Sequence, residues 1–214
     1  MAPPAPPPMR WYFDFISPFS YLQWQKVKRM LDAGHAVEPV PIVFAAVLDA
    51  LGQKGPAEIP GKREFTYRHV LWQAGREGVP LVFPPSHPFN PLPALRLCIA
   101  ASCGADAVDA IFDWIWKSGR AADTSEALAP LADALGVPPD AIASDAAKSG
   151  LRTRTDSAIA AHVHGVPTLA IGEALFWGND AHEFALACLK DPGLLGRGEM
   201  ARVAQLPVGI RRKA

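Results

Sequence analysis

Apolar and polar positions along the chain alternate between two periods. Residues 10–16, Arg-Trp-Tyr-Phe-Asp-Phe-Ile, are a short aromatic-rich run of strand character that stops at Ser17-Pro18. Beyond it Leu22, Val27, Met30 and Leu31 recur at near-helical spacing, and Gly34 ends the segment, so a helix follows the strand. Val37, Val40, Ile42 and Val43 restore strand character over 36–44. Pro39 and Pro41 lack an N–H and place that strand at an edge or in irregular pairing. The opening is a βαβ unit.

From 46 to 149 the pattern is almost entirely helical, with proline and glycine breaks near 55–61, 78–93, 104, 119 and 136–139. A further helix is predicted over 151–163, extended segments over 166–171 and 174–177 around a tight Gly172-Glu173 hairpin, and a closing helix over 181–190. This order predicts an α/β chain with a thioredoxin-like fold interrupted by a large helical insertion. Residues 10–45 and 150–190 form the thioredoxin-like domain, 46–149 the inserted subdomain, and 191–214 a C-terminal extension. Residues 1–9, rich in proline, read as an extended, mobile tail.

Composition narrows the function. Half of the 214 residues are apolar and 21 basic residues balance 21 acidic ones, as in an ordinary globular protein with no overall field to draw nucleic acid or a membrane surface. The Arg211-Arg212-Lys213 run is too short for a basic patch and reads as a solvated end. No stretch reaches the roughly 20 apolar residues of a membrane span, and the N-terminus lacks the pattern of a secretory signal. Cys98, Cys103 and Cys188 form no C-x-x-C pair and no zinc set, and they sit in predicted helices as small core residues. A cytoplasmic location is the expectation. His162 and His164 have no nearby carboxylate or thiol to complete a metal site, so none is expected. Trp72, Trp114 and Trp116 suit a core or an aromatic pocket between the insertion and the βαβ unit.

Chemistry concentrates at Phe13-Asp-Phe-Ile-Ser-Pro-Phe-Ser-Tyr-Leu22. Serine before proline at a strand-to-helix junction is a helix cap with proline at the first helical position. The same position in a thioredoxin-like fold holds the reactive sulfur, where unpaired amides and the helix dipole favour an anion. Here Ser17 and Ser20 stand in an S-x-x-S spacing, which cannot cycle through a disulfide, so any sulfur must arrive on a bound thiol. A thiol of pKa near 8.5 is only about 3% ionised at pH 7, and a hydroxyl donor plus the helix terminus suffice to lower that pKa by about one or two units. A second locus is His164-Gly-Val-Pro-Thr168, either a plain turn into a strand or the cis-proline turn that faces the first helix. In the latter case Val166 and Pro167 present main chain to an extended peptide. Gln53, Lys62, Asn179 and Asp180 lie in loops where they serve equally as solvated charges, caps or ligands.

Taken together, F-D-F-I-S-P-F-S-Y-L, P-L-V-F-P at 80–84, H-G-V-P-T-L and L-F-W-G-N-D at 175–180 resemble the 2-hydroxychromene-2-carboxylate isomerases. These stand with the kappa-class glutathione transferases in the DsbA-like branch of thioredoxin folds, and the resemblance spans residues 10–190. It implies glutathione as cofactor, Ser17 acting on its sulfur, and Val166, Pro167, Gln53, Lys62, Asn179 and Asp180 holding its peptide. Gln53 stands where the kappa relatives carry asparagine. Asn90 in F-N-P resembles a family asparagine near the substrate, and Phe19 of the first motif is placed beside it as a substrate contact. Arg63 and Arg68 are further candidates for the substrate carboxylate. The implied reaction is a glutathione-dependent cis–trans isomerisation of a small aromatic-degradation intermediate by reversible thiolate addition. The implied assembly is a homodimer. A glutathione transferase that makes stable conjugates and a non-catalytic thioredoxin-like binding module are the alternatives.

Overall fold

The computed structural model describes residues 8–138 and 140–210; most of the proline-rich tail and the Arg211–Lys213 run lie outside them. The first strand, β1 (Met9–Phe13), starts inside the segment assigned to the tail, because Met9 is buried and faces Val37 on one side and Ile171 on the other. It also stops earlier than its apolar run. The Asp14 carboxyl accepts the Ile16 N–H at 3.0 Å and the Phe44 N–H at 2.9 Å, while its carbonyl accepts the Ser17 N–H at 3.1 Å. These bonds bend the chain into α1 (Pro18–Asp32).

The second strand, β2 (Val37–Pro41), runs parallel to β1. The Ile42 N–H donates to the Phe13 carbonyl at 2.9 Å, so even-numbered amides point at β1 and odd-numbered ones point away. Pro39 and Pro41 are both odd, which is why the strand tolerates them. Residues 42–44, expected to extend this strand, leave it: capture of the Phe44 N–H by Asp14 starts α2 (Phe44–Ala50) there.

The helical insertion continues with α3 (Lys62–Glu77), α4 (Leu92–Ala100), α5 (Ala105–Phe112) and α6 (Ser125–Ala134), and α7 (Asp145–Ala160) leads back to the sheet. Residues 79–91 are non-helical, and α5 runs into a π-turn, Asp113–Lys117, closed by Ser118 N–H to the Asp113 carbonyl at 2.9 Å. Two short antiparallel strands follow, β3 (Thr168–Ile171) and β4 (Ala174–Trp177), joined where Gly172 takes φ 59°. Then come α8 (His182–Lys190) and, within the C-terminal extension, α9 (Gly198–Val203). Sheet order is β2-β1-β3-β4, with β1 antiparallel to β3.

Strand alternation divides the core between two faces. On one, Trp11 stacks on Phe13 with centroids 4.4 Å apart, and the cluster runs on through Phe15 and Trp24 to Phe112 and Trp116 of the insertion. On the other, Tyr12 packs with Val40, Ile42, Val47, Ala158 and Val166. Each of three fully buried indoles finds an acceptor at 2.8 Å: Trp11 on Gln23 Oε1, Trp24 on Asp109 Oδ1 and Trp116 on the Phe15 carbonyl. The last bond ties the insertion to the chain two residues before Ser17.

Candidate active site at the start of the first helix

Ser17 caps α1. Its backbone is extended, Pro18 occupies the first helical position, and its Oγ accepts the Ser20 N–H at 3.2 Å. That bond uses a lone pair, and nothing among the described residues accepts the Ser17 O–H, so the hydroxyl keeps a proton to donate. The side chain is 8% exposed at the positive end of a 15-residue helix. Ser20, at the second position of the spacing, is fully buried and its Oγ has no partner among the described residues.

The Val166-Pro167 bond is cis, and Tyr12 pairs with Thr168, so this turn lies alongside Phe13 and Asp14 as β1 ends. The sheet register therefore brings Ser17 and the Val-Pro turn to one end of the molecule. Among the described residues the Val166 N–H and C=O have no hydrogen-bond partner. Gly165 is required beneath it: a Cβ there would come within 2.3 Å of Trp177 Nε1. Trp177 in turn packs edge-on against exposed His164 at 5.4 Å.

The remaining expected residues divide. Gln53 and Lys62 are exposed, at the turn after α2 and at the first position of α3. Asp180 is exposed and curls its carboxylate over Gly178, which takes φ 103°. Asn179 turns inward, donating to Gln73 Oε1 at 3.4 Å and Glu77 Oε1 at 3.2 Å, and its buried Oδ1 has no partner among the described residues. Asn90 is exposed; its side chain accepts the Leu92 N–H at 3.2 Å in the turn that leads into α4 and donates to the Asp123 carbonyl at 3.4 Å. Arg68 pairs with Glu64 on the surface at 2.7 Å. Phe19 is half-buried, its ring 6.0 Å from that of His69, which stacks with exposed Phe65 at 5.5 Å. Trp72 is also exposed, Trp114 donates to the Ala121 carbonyl at 2.9 Å, and Trp116 is core.

His87 and Tyr67, which the motifs do not single out, join Arg63 in a hydrogen-bonded chain to the carbonyl before Ser17. His87 Nε2 lies 2.8 Å from the Ile16 carbonyl, immediately before Ser17; a carbonyl only accepts, so Nε2 carries the proton. Nδ1 then accepts from the Tyr67 hydroxyl at 2.6 Å. Arg63 donates to the Tyr67 hydroxyl at 3.1 Å and the His87 carbonyl at 2.8 Å. Burial holds the His87 imidazole below its ordinary pKa, with the nearby Arg63 charge adding to that and the bond to Ile16 opposing it. Asp14 is the other hidden group. Burial raises its carboxyl to about 7 against the pull of two amide donors.

Comparisons with known proteins place the chain in a family. The DSBA-like thioredoxin domain family matches residues 9–190. A 2-hydroxychromene-2-carboxylate isomerase of Pseudomonas putida is 33% identical over 79% of this chain and 87% of its own. One from Sphingobium xenophagum is 30% identical over 84% and 96%. A solved 2-hydroxychromene-2-carboxylate isomerase superposes with TM-score 0.73 at 28% identity, covering 92% of this chain and 96% of that one. The cytosolic disulfide reductase DsbM from Pseudomonas aeruginosa shares the fold, with TM-score 0.59 at 17% identity over 85% of this chain and 98% of that one. A family match over residues 9–190 and this span of similarity to named relatives lead to one assignment: the chain belongs to the DsbA-like thioredoxin domain family, among the 2-hydroxychromene-2-carboxylate isomerases.

Proposed function

We propose that this chain is a glutathione-dependent isomerase of the 2-hydroxychromene-2-carboxylate type, acting on an intermediate of aromatic-ring degradation. The observation that carries the reading is the Ser17 hydroxyl, spent as an acceptor within α1 but free as a donor at the positive end of that helix. The vacant main-chain groups of Val166 suit the cysteinyl backbone of an extended thiol peptide. Bound glutathione, held through its main chain at Val166, would supply a sulfur nucleophile for reversible addition to an electron-poor double bond. The Ser17 hydroxyl would donate a hydrogen bond to that sulfur and so favour its ionised form. Lys62, Gln53 and Asp180 are exposed and available for the peptide's charged ends, while Asn179 holds the turn that carries Asp180. Phe19, two residues from Ser17, continues through His69 to Phe65, Tyr67 is joined through His87 to the carbonyl before Ser17, and these rings offer aromatic surface for a substrate, with Arg63 a cation for its carboxylate. The same reading has a cytoplasmic homodimer acting on a small molecule, with neither nucleic acid nor membrane as partner.

The test is turnover of 2-hydroxychromene-2-carboxylate by the wild type and Ser17→Ala, with free glutathione measured before and after. Turnover that requires glutathione without consuming it, and a loss of at least about 100-fold in kcat for the variant, are expected. Consumption of glutathione would make the chain a transferase. Undiminished turnover by the variant would remove Ser17 from the chemistry.

A further inference from the structure

At the far end of the molecule, α4 stops in an unusual way. The Cys103 N–H donates to the Cys98 carbonyl at 2.8 Å and the Ser102 N–H to the Ile99 carbonyl at 2.9 Å, a paired closure that brings the first and sixth residues together. Glycine normally supplies the left-handed residue of such a turn. Here Ser102 takes φ 61° and Cys103 φ 54°, conformations that L side chains rarely adopt. The sequence places Cys103 in a helix, whereas the structure puts it in this turn, whose closing bond draws its backbone onto that of Cys98 within one buried cluster. Cys98 is fully buried and Cys103 is 8% exposed. The turn borders a surface depression of about 330 Å³ lined by Ala101, Gly104, Ala105, Asp106, Ala107 and Leu135.

We propose that Cys98 and Cys103 are a redox pair that closes to an internal disulfide by exchange with a small disulfide of the glutathione-disulfide kind. Cys103 is the attacking group: the hydrogen bond donated by Cys98 lowers its pKa, burial opposes this, the Arg154 charge helps and Glu38 opposes. The Cys103 thiolate forms a bond to one sulfur of the oxidant, whose own S–S bond breaks, and the departing thiolate takes up a proton. Cys98 then loses its proton as its sulfur attacks that of Cys103. The second half of the oxidant leaves and is protonated. Two protein thiols are oxidised and one small disulfide is reduced to two thiols. Glu38 pairs with Arg10 at the start of β1, whereas Ser17 follows its other end, so this pair stands apart from the proposed isomerase site.

The full-length protein is incubated with glutathione disulfide and, separately, with hydroxyethyl disulfide, which has no peptide for the Ser17 site to hold; free thiols are then alkylated and peptides weighed. A Cys98–Cys103 link that either reagent forms and dithiothreitol reverses is expected, with Cys188, on α8, alkylated throughout. Cys98→Ser lacks the resolving thiol and is expected to retain the oxidant's half on Cys103 as a stable mixed disulfide. If Cys98 and Cys103 stay alkylatable in both reagents, or if Cys188 is consumed first, the proposal is overturned. These outcomes are read independently of isomerase activity.

Discussion

Asp14 makes the most direct residue-scale prediction, because it is fully buried one turn of chain from Ser17 and its carboxyl is raised to about 7 from 3.8. A carboxyl raised on folding contributes stability that is present below the unfolded value and lost as pH rises through the folded one. Wild-type stability, followed by urea unfolding, is expected to decline between pH 4 and 7 relative to Asp14→Asn, whose profile is flatter. His87 has the opposite sign. Its pKa is lowered, so its contribution is present above about 6.5 and lost on acidification, when a proton on Nδ1 displaces the Tyr67 bond. His87→Phe keeps an aromatic ring among Phe83, Phe89 and Trp116 but releases the Ile16 carbonyl. A fall in kcat of about tenfold, or ~1.4 kcal/mol in the barrier, with KM little changed is expected from the looser Ser17 loop. Ser17→Ala also removes a cap, for a stability loss of about 1 kcal/mol readable in the same urea series.

At the scale of elements, the site rests on two turns of unequal visibility in the sequence. The strand–Ser–Pro–helix junction is legible because capping and the proline at the first helical position are local preferences. The Val166-Pro167 turn gains meaning only from the strand that Tyr12 and Thr168 share. The Tyr67–His87–Ile16 chain leaves no local trace, since its partners are separated by 20 and 71 residues and end on a main-chain carbonyl. The boundary between β2 and α2 is hidden for a similar reason: Phe44 suits a strand by itself, and the Asp14 carboxyl 30 residues away makes it helical. Gly165→Ala tests the second turn. With 2.3 Å between the new methyl and the Trp177 indole, the turn or the ring must move, and a drop in Tm of roughly 3–10 °C is expected by calorimetry.

Across the whole molecule, the sheet and the helical insertion share one hydrophobic cluster, in which Trp11, Phe13 and Phe15 from the first segment meet Phe112 and Trp116 from the middle one. Neither part buries its aromatic face without the other. Calorimetric and fluorescence-detected unfolding are therefore expected to coincide in a single transition, and residues 46–149 expressed alone to lack cooperative melting. Two separated transitions would show that the insertion is a folding unit in its own right.

The outward-facing prolines of β2 have a consequence for how such molecules meet one another at high concentration. Position 39 and position 41 offer an incoming chain no amide hydrogen, so an added strand finds carbonyls without their complementary donors and cannot zip up. The opposite border is β4, only four residues long. Fibril-like growth by lateral addition is blocked on one flank and brief on the other, and replacing both prolines by valine is expected to raise the rate of amyloid-dye-positive aggregation while leaving the fold in place.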